Sequence, residues 1–340
     1  MSGKKIYFAD KPINQIVAEI RALKGTEITQ LDLSMNAFHK RSVDELTAVL
    51  GALIETGIIS LDLSLNEFYQ RSVDELTAVL DTLKKTRINS LDLSLNDLYK
   101  FGAALASLLS FLKETEVTHL NLSRNCLGGK LDVGQTSPLS ALKETGITHL
   151  NLSRNILGSS SNRILASLFG SLKGTSVTHL DLCMNNLGQK SAAQLATLFS
   201  SLKETEVTHL DLGRNNLGDK SAKELKIIFD AIPVNIVSVG LYYSELKTMG
   251  QSQRQAIQNR FDHADNIILY DEKHINLEPS LRRNDARAYR TFGFKISAPS
   301  LLNRCAFFIA QKRIFPRETC QAKLPSELNH YINSFRSTLA

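Results

Sequence analysis

Leucine and asparagine recur along this 340-residue chain at a nearly constant interval. The pattern L-x-L-x-x-N begins at seven positions, and successive copies start 29 or 30 residues apart. The first leucines of these copies are Leu31, Leu61, Leu91, Leu120, Leu150, Leu180 and Leu210. An eighth, weaker copy places Val239 at this position, and Ile268 follows another 29 residues later as a candidate closing strand. This constant period predicts stacked copies of one supersecondary unit.

Each copy predicts a short strand, a turn and a helix. Leucines that flank one residue, such as Leu120 and Leu122, alternate as in a strand with one buried face. The following asparagine is expected to hydrogen-bond to backbone groups of adjacent coils. In the sixth copy, four apolar residues between 195 and 202 have the i, i+3, i+4, i+7 spacing of a helix. Residues 128–142 are rich in Gly and Pro, so we expect an irregular segment there in place of a full helix.

The repeated unit resembles the leucine-rich repeat of the ribonuclease-inhibitor-like class, over roughly residues 25 to 245. This resemblance implies an α/β fold, a right-handed leucine-rich-repeat solenoid (horseshoe) with a parallel sheet inside and helices outside. Stability then comes from stacking, because no unit buries its own apolar face. The repeat sequence "VTHLNLSRN" looks especially like the repeats of secreted bacterial effectors, notably those of Legionella. That closer resemblance implies secretion without a classical signal peptide, followed by action in the host cytoplasm.

The same frame divides the chain into four segments. Residues 1–27 are predicted to form an N-terminal capping unit, with a helix within Ile13–Thr26. Residues 28–245 hold the repeats, and residues 246–297 are predicted to be a cap or connector. Residues 298–340 are predicted to form a small helical domain.

Composition narrows the class of protein. A hydrophobic content of 43% and a charged content of 22% are ordinary for a folded soluble chain. The apolar runs are far shorter than the roughly 20 residues that a membrane span needs. The start of the sequence lacks the apolar stretch of an export signal. The four cysteines form no CxxC pair, which indicates reduced thiols and a cytosolic setting.

The net charge of +6 lies in the last part of the chain. Residues 245–340 contain 15 Lys/Arg and 9 Asp/Glu. Their densest basic stretch, Arg282–Arg290, is short and interrupted by Asp285, which favours a solvated surface over a nucleic-acid site. No nucleic-acid partner is predicted, and a monomer is expected.

Two columns of side chains are predicted to face the concave side of the sheet. The residue before the first leucine gives Gln30, Ser60, Ser90, His119, His149, His179 and His209. The residue between the leucines gives Asp32, Asp62, Asp92, Asn121, Asn151, Asp181 and Asp211. Strands about 4.8 Å apart stack like residues into ladders. Repeat copying explains the histidine column better than a metal site does, because zinc ligands must converge on one point. No metal or cofactor is predicted.

A third column, the pre-asparagine row, carries large residues throughout and is predicted to be exposed on the concave side as the protein-binding surface. Its members are Met35, Leu65, Leu95, Arg124, Arg154, Met184 and Arg214, with Tyr242 and Tyr243 closing the row. Arg, Tyr and Met are enriched at the centres of protein interfaces. The apolar end is expected to meet an apolar patch, and the arginines acidic groups. The alternative is that these residues are repeat filler on a harmless face.

The end of the chain carries a second resemblance. Leu301, Cys305 and Ile309 match the BC box of SOCS-box proteins, in which the leucine and cysteine enter an Elongin C pocket. Their spacing places them along one face of a helix, suited to docking in a groove.

The cullin-contacting segment of the SOCS box reads L-P-x-x-L-x-x-Y, and this chain has Leu324, Pro325, Leu328 and Tyr331 at those places. The resemblance implies recruitment of Elongin B/C and a cullin ubiquitin ligase. Gln321 and Ala322 stand where the family usually has a first Leu-Pro. The match to the cullin-contacting segment is therefore less complete than the match to the BC box. The alternative is a pair of helices that only caps the last repeat.

No P-loop, GxSxG or HExxH signature of an enzyme is present in the sequence. The sequence therefore predicts a non-enzymatic protein-binding module. A more specific version of this prediction is a bacterial effector that binds a target protein and recruits a ubiquitin ligase. Its alternative is a binding or inhibitor module whose C-terminal helices serve only as a cap.

Overall fold

A computed structural model describes residues 2–8, 11–128, 137–277 and 283–296. Within these residues the chain forms one open parallel sheet of ten strands, arranged in sequence order. The strands are β1 Ser2–Lys5, β2 Ile28–Asp32, β3 Ser60–Asp62, β4 Ser90–Asp92, β5 His119–Asn121, β6 His149–Asn151, β7 His179–Asp181, β8 His209–Asp211, β9 Ser238–Tyr242 and β10 Ile267–Tyr270. Equivalent residues of neighbouring repeats pair directly, as Leu61 does with Leu91. The predicted solenoid is confirmed.

A helix or a 3-10 turn returns the chain from each strand to the next. The α-helices are α1 Ile13–Arg21, α2 Val43–Gly51, α3 Val73–Leu80, α4 Leu105–Leu109, α5 Asn162–Gly170, α6 Ala192–Ser200, α7 Ala222–Asp230, α8 Tyr243–Thr248, α9 Gln251–Gln258 and α10 Arg283–Thr291. The 3-10 segments are Phe38–Lys40, Phe68–Gln70, Asp81–Lys85, Leu98–Ala104, Ser110–Leu112, Pro138–Leu142, Leu157–Ser159, Leu187–Gln189 and Leu217–Asp219.

The helix ends follow from the repeat sequence. Ser42 begins α2 with a capping box, in which its hydroxyl accepts from the Glu45 N–H and the Glu45 carboxylate accepts in return. Before each strand from β2 to β8, a threonine hydroxyl donates to the carbonyl three residues earlier, as Thr175 does to Leu172 at 2.7 Å. These local bonds satisfy backbone groups that a helix end leaves without partners.

The core is a continuous layer of leucines between the sheet and the helices. The leucines of each strand pattern are at most 2% exposed, and the predicted helix face of the sixth repeat is likewise buried. Phenylalanines stack from coil to coil at the N-terminal end, with 5.4 Å between the ring centroids of Phe8 and Phe38. Each coil therefore completes the core of its neighbours, as expected of a solenoid.

The motif asparagines join the coils, as the sequence predicts. The Nδ2 group of Asn155 donates to the carbonyls of Leu122 in the preceding coil and Leu152 in its own, both at 3.0 Å. Its Oδ1 accepts from the backbone N–H of Asn125 at 2.9 Å. Asn155 is 0% exposed, so each of these bonds satisfies a buried polar group.

Both ends of the solenoid extend beyond the clear repeats. At the N-terminus, the predicted helix α1 is present. It is preceded by the strand β1, which pairs with β2. The weak eighth copy forms β9, and the predicted closing strand is β10, paired in parallel with β9. After β9, the helices α8 and α9 are separate because Met249 leaves the helical conformation.

In the Gly/Pro-rich copy, the part that the structure describes returns through the 3-10 segment Pro138–Leu142 instead of a full helix. Among the described residues, no helix combines the length and the apolar character needed to cross a bilayer.

Candidate functional site

The inner face of the sheet forms the floor of a groove of about 1000 Å³. In every strand from β2 to β8, the residue before the first leucine and the residue between the leucines line this groove. Lys5 lies at its N-terminal end, and Tyr270 and His274 lie at its C-terminal end. The two columns predicted to face the concave side are thus confirmed in position.

The Asp/Asn column has a structural role. In each of the seven repeats, Oδ1 of this residue accepts from the backbone N–H two residues later at 2.8–2.9 Å. This is the Asx-turn geometry that Asp and Asn share, which explains why either residue serves here. The bond ends the strand and starts the turn that carries the pre-asparagine row.

The four histidines form a stacked ladder, as repeat copying predicts. Neighbouring rings from His119 to His209 have centroids 4.0–4.1 Å apart and planes within 13° of parallel. The threonine before each histidine holds its Nδ1 at 2.9–3.0 Å from the hydroxyl. Each ring is therefore fixed both by its neighbours and by its own strand.

Burial makes the charged form of three of these rings unfavourable. Burial lowers the pKa of His149, His179 and His209. For His179, burial and then the charges of the neighbouring histidines lower the pKa to about 4. The charged forms of these three rings are thus disfavoured by burial and, at His149 and His179, also by repulsion between neighbouring imidazolium ions.

The pre-asparagine row lies in the turns that follow the strands, along one edge of the sheet. Seven of its members, from Met35 to Arg214, have left-handed backbone with φ between 53° and 60°. Their backbone N–H groups bond across to the next coil; that of Arg154, for example, donates to the Cys183 carbonyl at 2.9 Å. The left-handed turn places these residues beside the groove, outside the floor that the strands form.

Exposure within the row is uneven. Met35 is 64% exposed and Leu65 is 39% exposed. Arg124 and Arg154 are exposed. Within the part of the chain that the structure describes, their guanidinium groups form no ion pair and no hydrogen bond. Leu95, Met184 and Tyr243 are half-buried, so the accessible part of the row is concentrated in the first five repeats.

The predicted end of the row needs a correction. The pairing of Asp211 with Gly240 aligns Tyr243 with Arg214 and places Tyr242 one position earlier. Tyr242 is only 3% exposed and packs against the rings of Tyr270 and His274, so it offers no surface to a partner. Arg214 lies over the Tyr242 ring at 4.3 Å and pairs with Glu272, which engages its guanidinium within the protein.

A cluster of polar side chains at the C-terminal end of the groove was not predicted. Asp181, Asp211 and His274 bring their ligating atoms within 4.8 Å of one another. Burial raises the pKa of both carboxyls, and the charge of Asp181 raises that of Asp211 further. His274 follows the last strand and obeys no period, so the sequence carries no signal for its position.

The SOCS-box-like residues Leu301, Cys305, Ile309, Leu324, Pro325, Leu328 and Tyr331 lie outside the described residues. The Elongin-binding and cullin-contacting assignments remain predictions from the sequence.

Comparison with known proteins supports the class that the fold defines. A family model described as Leucine Rich repeat matches residues 205–226. The solved structure of the leucine-rich repeat-containing protein LegL7 from Legionella pneumophila is similar, with a TM-score of 0.69 and 28% identity. That similarity covers 88% of this chain and 100% of LegL7. The chain therefore has the fold of a leucine-rich-repeat solenoid, and this fold suggests a protein-binding module.

Other comparisons add nothing to this assignment. Deoxyribose phosphate aldolase from Aeropyrum pernix aligns with 72% of this chain and 86% of its own, at 11% identity. Its TM-score of 0.25 carries no argument. No match was found among curated protein sequences.

Proposed function

We propose that this protein is a non-enzymatic bacterial effector that binds a target protein along the pre-asparagine row. The observation that carries the proposal is the presence of large side chains at strained backbone positions. A residue other than glycine in the left-handed region costs about 1–2 kcal/mol. None of the seven left-handed members of the row is glycine. Four of these side chains, Met35, Leu65, Arg124 and Arg154, are exposed, so they are suited to contact with a partner.

The row has a defined chemistry for such a partner. Met35 and Leu65 supply an exposed apolar patch at the N-terminal end. Arg124 and Arg154 follow as exposed cations whose guanidinium groups have no partner in the described chain. A fitting target presents an apolar patch beside acidic groups, because bidentate pairing with carboxylates is what arginine does best.

The action in a host cell rests on two similarities. The repeat sequence resembles that of secreted Legionella effectors, and the fold is similar to that of LegL7. The C-terminal residues Leu301, Cys305 and Ile309 resemble a BC box, and we propose that they recruit Elongin B/C and a cullin ubiquitin ligase. The target on the row is then brought to the ligase. The alternative, in which the tail only caps the solenoid, is an outcome of the test below.

Charge reversal tests the binding surface. Partners captured from host-cell lysate by the wild type are compared with those of an Arg124→Glu, Arg154→Glu variant. The control, Lys143→Glu with Lys203→Glu, makes the same charge change at exposed turns before the strands. Specific partners are expected to survive the control and to be lost in the arginine variant. Equal capture by all three proteins overturns the assignment of the surface.

Purified Elongin B/C tests the tail separately. Wild type is expected to bind it, and Leu301→Asp with Cys305→Asp is expected to abolish binding. Asn303→Asp adds a charge at a position that the motif leaves open, and it is expected to retain binding. Failure of the wild type to bind, or equal binding by all variants, removes the ligase proposal and leaves the tail as a cap.

A further inference from the structure

We propose that Asp181, Asp211 and His274 form a binding site for a divalent transition-metal ion of the Zn²⁺ or Mn²⁺ class. The site lies at the C-terminal end of the groove, and its existence does not depend on the proposed target binding. Asp181 and Asp211 come from β7 and β8, while His274 comes from the loop that follows β10.

The spacing of the three side chains suits one ion. The ligand atoms lie within 4.8 Å of one another, and Nε2 of His274 is 3.6 Å from Oδ2 of Asp211. An ion with bonds of about 2.0–2.2 Å holds its ligand atoms roughly 3–4 Å apart. Side-chain movements of less than about 1 Å therefore bring the set into coordination.

The unsatisfied oxygen of Asp211 is an independent observation that points to a cation ligand. Its Oδ2 is buried and has no hydrogen-bond partner, and the side chain is only 8% exposed. A buried carboxylate oxygen without a partner is costly. The same column shows how the protein satisfies this oxygen elsewhere: Lys5 binds Oδ2 of Asp32 at 2.8 Å, and Asn121 donates to Oδ2 of Asp92 at 2.7 Å.

No lysine or arginine of the described chain takes the place of Lys5 at the C-terminal end. The nearby Arg214 is instead directed to Glu272 and to the ring of Tyr242. Among the described residues, His274 is thus the basic side chain that lies beside these two carboxylates. A bound cation supplies the charge that the protein itself does not.

The imidazole is held in the manner of a metal ligand. Nδ1 of His274 is hydrogen-bonded to the hydroxyl of the buried Tyr242 at 2.6 Å. Its ring stacks on that of Tyr270, with centroids 4.3 Å apart and planes 11° from parallel. Bonding of one ring nitrogen fixes the ring and directs the other nitrogen, Nε2, to the site, which is the usual role of groups behind a metal-bound histidine.

The side chain is also positioned by its loop. Oδ1 of Asp271 accepts from the backbone N–H groups of Lys273 and Ile275, both at 2.8 Å. His274 itself has left-handed backbone with φ of 61°. The turn thus holds a strained residue with its ring over the end of the groove.

The donor set selects the class of ion. Mg²⁺ and Ca²⁺ prefer coordination by oxygen alone, whereas imidazole with carboxylates suits Zn²⁺ and other first-row divalent ions. Three protein ligands leave coordination positions open, as in sites that also bind water or an external group. Because His274 is 43% exposed, those positions face the groove, where a side chain of a bound protein has access to them.

Isothermal titration of the full chain with Zn²⁺ and with Mn²⁺ tests the site. One equivalent is expected to bind the wild type. Asp211→Asn and His274→Ala are each expected to weaken binding about 100-fold or more, and Tyr242→Phe about tenfold. Asp211→Asn should fold, because Asn121 and Asn151 make the same turn bond in this column. Unchanged thermal unfolding of the metal-free variants verifies this.

Two variants separate the site from other donors. Asp62→Asn changes a column member that has acidic neighbours but no histidine, and His149→Ser interrupts the ladder; both are expected to bind normally. Substitution with Co²⁺ is expected to give an absorption spectrum without thiolate charge-transfer bands. The proposal is overturned by absence of binding, by binding that survives both Asp211→Asn and His274→Ala, by loss only in His149→Ser, or by a thiolate spectrum.

Discussion

The backbone N–H of Asn125 donates a 2.9 Å hydrogen bond to Oδ1 of Asn155, thirty residues further along the chain. The same link joins each motif asparagine to the next, from Asn36 through Asn215. Since these groups are buried, the ladder couples neighbouring coils by satisfying polar groups that neither coil satisfies alone.

Removal of one link is expected to destabilise the protein strongly. Asn155→Ala leaves the N–H of Asn125 and the carbonyls of Leu122 and Leu152 without this partner. Each unsatisfied buried group costs about 1–3 kcal/mol, so the free energy of unfolding should fall by roughly 3–5 kcal/mol in urea titrations. The exposed Asn14→Ala control should change it by less than about 0.5 kcal/mol. Equal effects of both changes would contradict the structural role of the ladder.

Close stacking of the coils predicts a glycine effect that depends on position. A Cβ at Gly158 would lie 2.1 Å from the Asn186 carbonyl oxygen of the next coil. Gly218 has the same place in the last clear repeat, but its nearest contact would be an ordinary 3.7 Å. Gly158→Ala is therefore expected to cost about 2–3 kcal/mol, and Gly218→Ala less than about 1 kcal/mol. Similar melting temperatures for the two variants would show that the coils relax more easily than the structure implies.

The histidine ladder predicts a pH dependence of stability. The pKa of His179 is lowered to about 4, so between this value and about 6.5 the unfolded chain binds more protons than the folded one. Stability should therefore fall as the pH decreases through this range. His179→Ser, which copies Ser60 and Ser90 of the same column, should reduce the loss between pH 7 and pH 5 by roughly 1 kcal/mol, a figure lowered for solvent screening.

Unfolding titrations at pH 8, 7, 6 and 5 give the comparison between wild type and this variant. Above pH 7 the two slopes should coincide, because the rings are neutral in both states of the protein. An unchanged slope between pH 7 and 5 in the variant would exclude the ladder as the source.

The buried thiol of Cys183 is expected to resist alkylation. It is 5% exposed, and burial followed by the charges of Asp211 and Asp181 raises its pKa to about 12. Iodoacetamide at pH 8 should label the half-buried Cys126 before Cys183 in the native protein, as measured by peptide mass spectrometry. In urea both should react, and rapid native labelling of Cys183 would contradict the packing around Tyr242.

The repeat pattern predicted most of the fold because each period adds one coil to a stack with fixed register. The strand positions, the buried asparagines and the stacking of His119 to His209 all follow from identical residues repeated at 29 or 30 positions. The pattern did not predict the left-handed turn at the pre-asparagine row. That conformation arises from the Asx bond and the link to the next coil, which are geometric details that spacing does not encode.

The sequence by itself therefore determined the solenoid, its ladders and the set of side chains along its edge. Only the tertiary structure decided that Tyr242 is buried, that Arg214 pairs with Glu272, and that His274 faces Asp211. These contacts join the last repeat to the loop after the final strand, where the period has ended. They arise because the loop after β10 packs against the end of the groove. A repeating sequence pattern does not predict such contacts.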